Sequence, residues 1–243
     1  MSVYTPHLAP VVVVAFLGTV FLLILSIFVG FVGILRKSRR IALSGIAACV
    51  SIVVAYGSVL LGLTLLSHDV ELPQGAWKYF CEIDCHIAYA VGPVQVTSAP
   101  PQEELVGRKR DNKIVIVLLK TWFDPTTISP HRGDGPLTPS ERKIRLIDRG
   151  GRQFAESPRS AALLAIEGRH TTPLRTPLRP GESYVSYLVF EVPPESRDFR
   201  LLVTSAEDLD SALWGHEVSP FHGKAYFEIR GTKSALSQFP ATL

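Results

Sequence analysis

The chain has 243 residues, 47% of them hydrophobic, and a mean hydropathy of +0.22, high for a water-soluble protein. Its length leaves room for one domain of ordinary size plus extra segments. The formal charge of +3 and pI of 8.8 do not mark a nucleic-acid-binding face. All 22 Asp and Glu lie beyond residue 67, and four of the 25 Lys and Arg fall at residues 36–40, so the rest of the chain is near −1.

The first ten residues, MSVYTPHLAP, carry no Lys or Arg, and are expected outside the cell as a short N-terminal segment. Residues 11–35 and 41–66 are two uncharged, apolar runs. As helices of about 25 residues each they would reach roughly 37 Å, enough for a hydrocarbon core of about 30 Å. Between them stands RKSRR, residues 36–40, which the positive-inside rule assigns to the cytoplasm. The expectation is a transmembrane helical hairpin in an inner or plasma membrane, with both termini outside and the lipid bilayer as its first partner. The first run lacks a basic leader and is too long for a cleavable signal peptide. Cys49 ends a lipoprotein-like IAAC, but the apolar run continues past it, so it is read as a helix residue. Ser58 and Gly62 have the small-x3-small spacing of packed membrane helices. The hairpin would anchor the outer domain or dock onto other membrane-protein subunits.

Residues 67–76 form a polar linker, with Pro73 and Gly75. From Trp77 to Val91 the pattern has period two, and predicts one strand of fifteen residues. Trp77, Tyr79, Cys81, Ile83, Cys85, Ile87, Tyr89 and Val91 share one face. Lys78, Glu82, Asp84 and His86 share the other, with Phe80 and Ala88 as apolar exceptions. KIVIVLLKTWF, 113–123, is apolar on both faces and reads as a central strand. RKIRLID puts Ile144 and Leu146 inward, and DRGG, 148–151, is a turn from which RQFAE returns. SAALLAIEG, 160–168, is a helical turn or a short strand. RPGE, 179–182, turns into SYVSYLVFEVP, where Ser186, Leu188, Phe190 and Val192 share a face. RDFRLLVTS and GKAYFEIR complete about seven strands over residues 77–231, an all-β sandwich, with 232–243 as a flexible tail. Two Pro-rich stretches, 96–111 and 124–141, are surface loops.

LTPSERKIRLIDRGGRQF followed by TPLRPGESYVSYLVFEVPPESRDFRLLV resembles the extracytoplasmic immunoglobulin-like sandwich found in bacterial lipoproteins and related to the mycobacterial immunoprotective-antigen fold. The most specific piece is Pro180-Gly181-Glu182 followed by Leu188-Val189-Phe190-Glu191-Val192-Pro193. The resemblance spans about residues 77–230. It implies an immunoglobulin-like sandwich and an outer compartment, but no reaction.

CEIDCH, 81–86, is the stretch richest in chemistry. Cys81 and Cys85 fit three readings. They could be small core residues, a disulfide or metal ligands. In a continuous strand they would stand about 13 Å apart, too far for a bridge. The plan of two membrane helices and an outer sandwich is similar to subunit II of haem-copper oxidases, whose copper motif is Cys-x-Glu-x-Cys-x3-His-x3-Met. Here the Cys-x3-Cys spacing is kept, but the glutamate is at Glu82, and Tyr89 and Pro93 stand where His and Met belong. A different copper or zinc set would draw on Cys81, Glu82, Cys85 and His86, with His216, Glu217 and His222 from GHEVSPFHG. The competing account makes the histidines hydrogen-bonded structural residues. No Gly-x-Ser-x-Gly, His-Glu-x-x-His or phosphate-cradling loop occurs, so the expected role is non-enzymatic. The RGD at 132–134 is most simply a turn. The expectation is therefore an accessory, assembly or ligand-recognition module held at a membrane, and the alternative a copper- or zinc-binding module.

Overall fold

The computed structural model describes residues 3–4, 9–80, 86–98, 112–128, 131–166 and 168–232. They form two compact units. One is a sandwich of two sheets, and the other holds a helical hairpin together with residues 207–224.

Eleven strands occur among the described residues: β1 (Val3–Tyr4), β2 (Val70–Leu72), β3 (Trp77–Phe80), β4 (Ile87–Ser98), β5 (Lys113–Phe123), β6 (Arg142–Ile147), β7 (Gln153–Phe154), β8 (Ser183–Val192), β9 (Arg200–Ser205), β10 (Ala225–Glu228) and β11 (Gly231–Thr232). Three α-helices join them, α1 (Ala9–Leu35), α2 (Arg39–Leu66) and α3 (Ser160–Ile166). The first sheet runs β1-β3-β4-β5-β8, with β11 also on β4, and the second runs β2-β10-β9-β6-β7.

The core between the sheets follows from alternation. Val115, Val117, Leu119 and Phe123 of β5 face Ile144 and Leu146 of β6 and Leu201 and Val203 of β9, within one buried cluster. On β8, Leu188, Phe190 and Val192 join it, as their spacing requires. β5 lies between β4 and β8, and its second face is also covered. There Ile114 and Ile116 pack with Val189 and with Leu163 and Leu164 of α3. This explains why that strand is apolar on both sides. SAALLAI thus resolves as a short helix that roofs one sheet.

Three expectations need correction. Residues 77–91 are not one strand. Phe80 pairs with Ile87 and Lys78 with Tyr89, so the chain reverses after β3 and returns as β4. The alternation changes phase across that reversal, and Lys78 and Phe80 face the core in place of Trp77 and Tyr79. The linker at 67–76 is also partly strand, because β2 pairs in parallel with β10. Of the stretch 96–111 expected as a loop, residues 96–98 belong to β4, which continues to Ser98, and 99–111 lie outside the described residues.

The hairpin follows from its glycines. Its turn is short, with Lys37 in the left-handed region at φ 53° and its backbone N–H bonded to the Ile34 carbonyl. An added Cβ would lie 2.3 Å from the Ala42 nitrogen at Gly33 and 2.5 Å from the Gly30 nitrogen at Gly45. Only hydrogen there lets the helices meet this closely. Ser26 and Thr19 return their hydroxyls to the carbonyls of Leu22 and Ala15, so the spans present no unsatisfied hydroxyl there. Leu17, Phe21, Ile24, Phe28 and Phe31 are exposed, and both helices are long and apolar enough to cross a membrane. At Gly62 an added Cβ would meet nothing within 4 Å, so the spacing noted at Ser58 and Gly62 is not what closes the hairpin. Cys49 is a free thiol within α2.

Candidate functional site

The richest polar cluster of the sandwich gathers where β3, β4 and β5 end together. Tyr79, on the face of β3 away from the main core, donates to Asp124 Oδ2 at 2.5 Å. Asp124 directly follows β5, and its other oxygen accepts from the Thr126 backbone N–H at 2.8 Å and the Thr126 hydroxyl at 2.7 Å. This is the side-chain cap of the short 3₁₀ turn Pro125–Thr127, with proline in its first positions. His86 enters β4 beside it, 2% exposed and stacked on Phe123 at 5.6 Å between centroids. Its backbone carbonyl accepts from the Asp124 N–H, and its Nδ1 lies 2.7 Å from the Thr127 hydroxyl. That hydroxyl donates to the Asp124 carbonyl, so it accepts from His86. His86 Nδ1 therefore carries a proton.

Burial works against ionisation of Asp124. The Tyr79 and Thr126 hydrogen bonds and the nearby His86 outweigh it, and the carboxyl sits below the ordinary carboxylate range. Burial and the Asp124 charge push the Tyr79 phenol far above its ordinary value. At neutral pH the pair is a fixed phenol donor on a fixed carboxylate. Neither group is poised to exchange a proton near pH 7.

A second polar feature lies on the inner side of the same strand. The Lys78 ammonium, 1% exposed, donates to the Val203 carbonyl at 2.7 Å and the Ala225 carbonyl at 3.1 Å. It thereby ties the first sheet to β9 and β10 of the second. Its Nζ stands 5.0 Å from the Phe80 ring centroid, and the Arg142 guanidinium lies 4.2 Å from the same ring on β6's side. Phe80 and Tyr89 meet edge to face at 5.4 Å.

Of the residues expected to hold a metal, Cys81, Glu82 and Cys85 lie outside the described residues. The reversal at Phe80 and Ile87 removes the continuous strand on which the argument against a Cys81–Cys85 bridge rested. His86 is placed as above. His216, Glu217 and His222 belong to the other unit. His216 Nδ1 accepts from the Val218 N–H at 3.3 Å and its Nε2 lies 3.6 Å from Asp210 Oδ2. His222 Nδ1 donates to the Gly223 carbonyl at 2.6 Å, and the Glu217 carbonyl accepts from the Lys224 ammonium. Among the described residues no three His, Cys, Asp or Glu side chains converge as metal ligands. The RGD segment is a turn, in which Arg132 donates to the Gly133 and Gly135 carbonyls and lies over Phe123.

Tyr79, Asp124 and Lys78 were not expected at a site. The one sequence signal for them was Phe80, an apolar residue out of phase with its strand. A shallow concavity of about 430 Å³ beside α3 is lined by Leu164, Arg169, His170 and Thr171 among others, and holds no cluster of reactive groups.

No family model matches the chain, and no curated protein matches it. Two solved structures are similar to it. A secreted protein from Mycobacterium tuberculosis, MPT63, aligns at 10% identity over 67% of this chain and 98% of its own, with a TM-score of 0.42. A conserved hypothetical protein from Bacillus anthracis aligns at 14% identity over 51% of this chain and 89% of its own, with a TM-score of 0.33.

Proposed function

We propose that the chain is a membrane-anchored, extracytoplasmic accessory or ligand-recognition module, an immunoglobulin-like sandwich without enzymatic activity, carried on a transmembrane hairpin. The supporting observation is connectivity. The chain runs from β1 into α1, and from α2 into β2, so both outer ends of the hairpin continue into strands of the same sandwich. The basic turn at 36–40 caps the opposite end, which the positive-inside rule places in the cytoplasm. Membrane-impermeant protease applied to intact spheroplasts tests the orientation. The sandwich is expected to be cut or shortened there, and protection until the membrane is opened removes the reading. Purification in mild detergent is expected to bring down further membrane subunits.

The competing reading, a copper or zinc module, has one observation in its favour. The Thr127 hydroxyl holds one ring nitrogen of His86 at 2.7 Å, the kind of side-chain support that orients metal-ligating histidines. Metal analysis of the purified full chain decides it. Less than one tenth of an equivalent of bound metal, with a thermal midpoint unmoved by chelator, eliminates this alternative.

A further inference from the structure

The segment Glu207–Lys224, between β9 and β10, belongs to the compact unit of the hairpin and not to the sandwich. The Tyr56 hydroxyl, well inside α2, donates to the Ala212 carbonyl at 2.7 Å. Trp214 lies against the Tyr56 ring at 4.8 Å between centroids, and Phe16 of α1 completes the row at 6.4 Å. At the helix end, the Gly223 N–H donates to the Ser67 hydroxyl and the Lys224 N–H to Asp69. The segment thus runs along the outer turns of α2.

The depth of that contact follows from counting. A core of about 30 Å holds about 20 helical residues. Measured from the basic turn, the outer boundary of the core falls near Phe16 on α1 and near Leu60 on α2. Tyr56 then lies about 6 Å inside that boundary at 1.5 Å per residue. Phe16, Tyr56 and Trp214 form an aromatic row where membrane proteins concentrate such rings. The Tyr56 hydroxyl, which hydrocarbon cannot satisfy, finds its acceptor in the segment's backbone. The segment also turns two large apolar side chains outward, Leu209 at 63% and Phe221 at 86% exposure. Phe221 holds the left-handed region at φ 62°, uncommon for an aromatic residue.

We infer that Glu207–Lys224 is an interfacial loop that lies in the outer leaflet at the headgroup–acyl boundary, with Trp214, Leu209 and Phe221 as its lipid contacts. Glu207, Asp208 and Asp210 keep it in the headgroup layer and out of the core. This rests on the proposed spanning of the membrane by the hairpin, and adds a second, non-spanning contact with lipid.

The full chain, reconstituted in phosphatidylcholine vesicles with lipids brominated near the carbonyl end of the acyl chain, tests it by tryptophan quenching. Flotation with the vesicles comes first. A chain that does not float overturns the hairpin reading and the loop with it. For a chain that floats, emission is expected to be quenched, and Trp214→Phe is expected to remove most of the quenchable fraction while Trp77 and Trp122 stay unquenched. Trp214→Tyr serves if the phenylalanine variant does not fold. Quenching left unchanged by loss of Trp214, or no quenching at all in a floating chain, overturns the loop alone. Leu209→Glu with Phe221→Glu is expected to cut the Trp214 quenching at least twofold. No change there removes the two side chains from the contact, and recovery of quenching only after other membrane subunits are stripped away assigns the loop to a protein partner instead.

Discussion

A lysine enclosed between two sheets must find acceptors that replace its water, and Lys78 finds them in the carbonyls of Val203 and Ala225. Lys78→Ala is expected to lower stability by about 2–4 kcal/mol, because it empties buried space and removes the ammonium from both carbonyls. Lys78→Met, which keeps the stem, should cost less, and the thermal midpoint of the full chain in detergent reads both. The Tyr79–Asp124 pair sets the pH limits. Asp124 titrates lower in the folded chain than in the unfolded one, so its contribution is complete above the unfolded value near 3.9 and is lost as pH falls through the folded one. Tyr79 titrates higher, so its contribution holds below about pH 10 and is lost as pH climbs beyond. Asp124→Asn should flatten the acid limb of a stability–pH curve, and Tyr79→Phe the alkaline one, with unchanged limbs refuting each assignment. None of these residues announced itself in the chain, because a buried lysine satisfied by carbonyls looks like any surface lysine on an alternating strand.

The elements that could be read beforehand are those whose surroundings are uniform along their length. β8 shows its inward side as Leu188, Phe190 and Val192, and β5 shows two apolar sides because α3 covers one of them. Leu164→Ala, on a helix residue 1% exposed, is therefore expected to cost about 2–5 kcal/mol by urea unfolding. The reversal between β3 and β4 escaped detection because no Gly, Pro or Asn-Gly interrupts residues 77–91, and a hairpin that shifts phase still looks periodic. The hairpin helices were plain in hydropathy, but their meeting line was not. Small residues are frequent in both runs, and only packing selects Gly30, Gly33 and Gly45 over Gly62. Gly45→Leu should destabilise the hairpin by about 1–3 kcal/mol or separate its helices, while Gly62→Leu should be silent, in a detergent melting series.

The whole chain weaves its two units together along the sequence. The sandwich is interrupted twice by the other unit, once between β1 and β2 and once between β9 and β10. The first insertion is plain in hydropathy, but the second is not, because residues 207–224 carry no apolar run that sets them apart from the sandwich, and the contact of Ala212 with Tyr56 spans 156 positions of sequence. The pairing of β1 with β3, Val3 opposite Trp77 and Tyr4 opposite Lys78, carries a consequence for biosynthesis. The ribosome releases Val3 and Tyr4 long before their partners, and both helices must be threaded in between. In the proposed topology, with both outer ends of the hairpin on the far side of the membrane, this strand crosses early and then waits, unpaired, for the edge it will complete. A bulky domain fused directly before Val3 would be expected to hinder that late docking step while leaving insertion untouched.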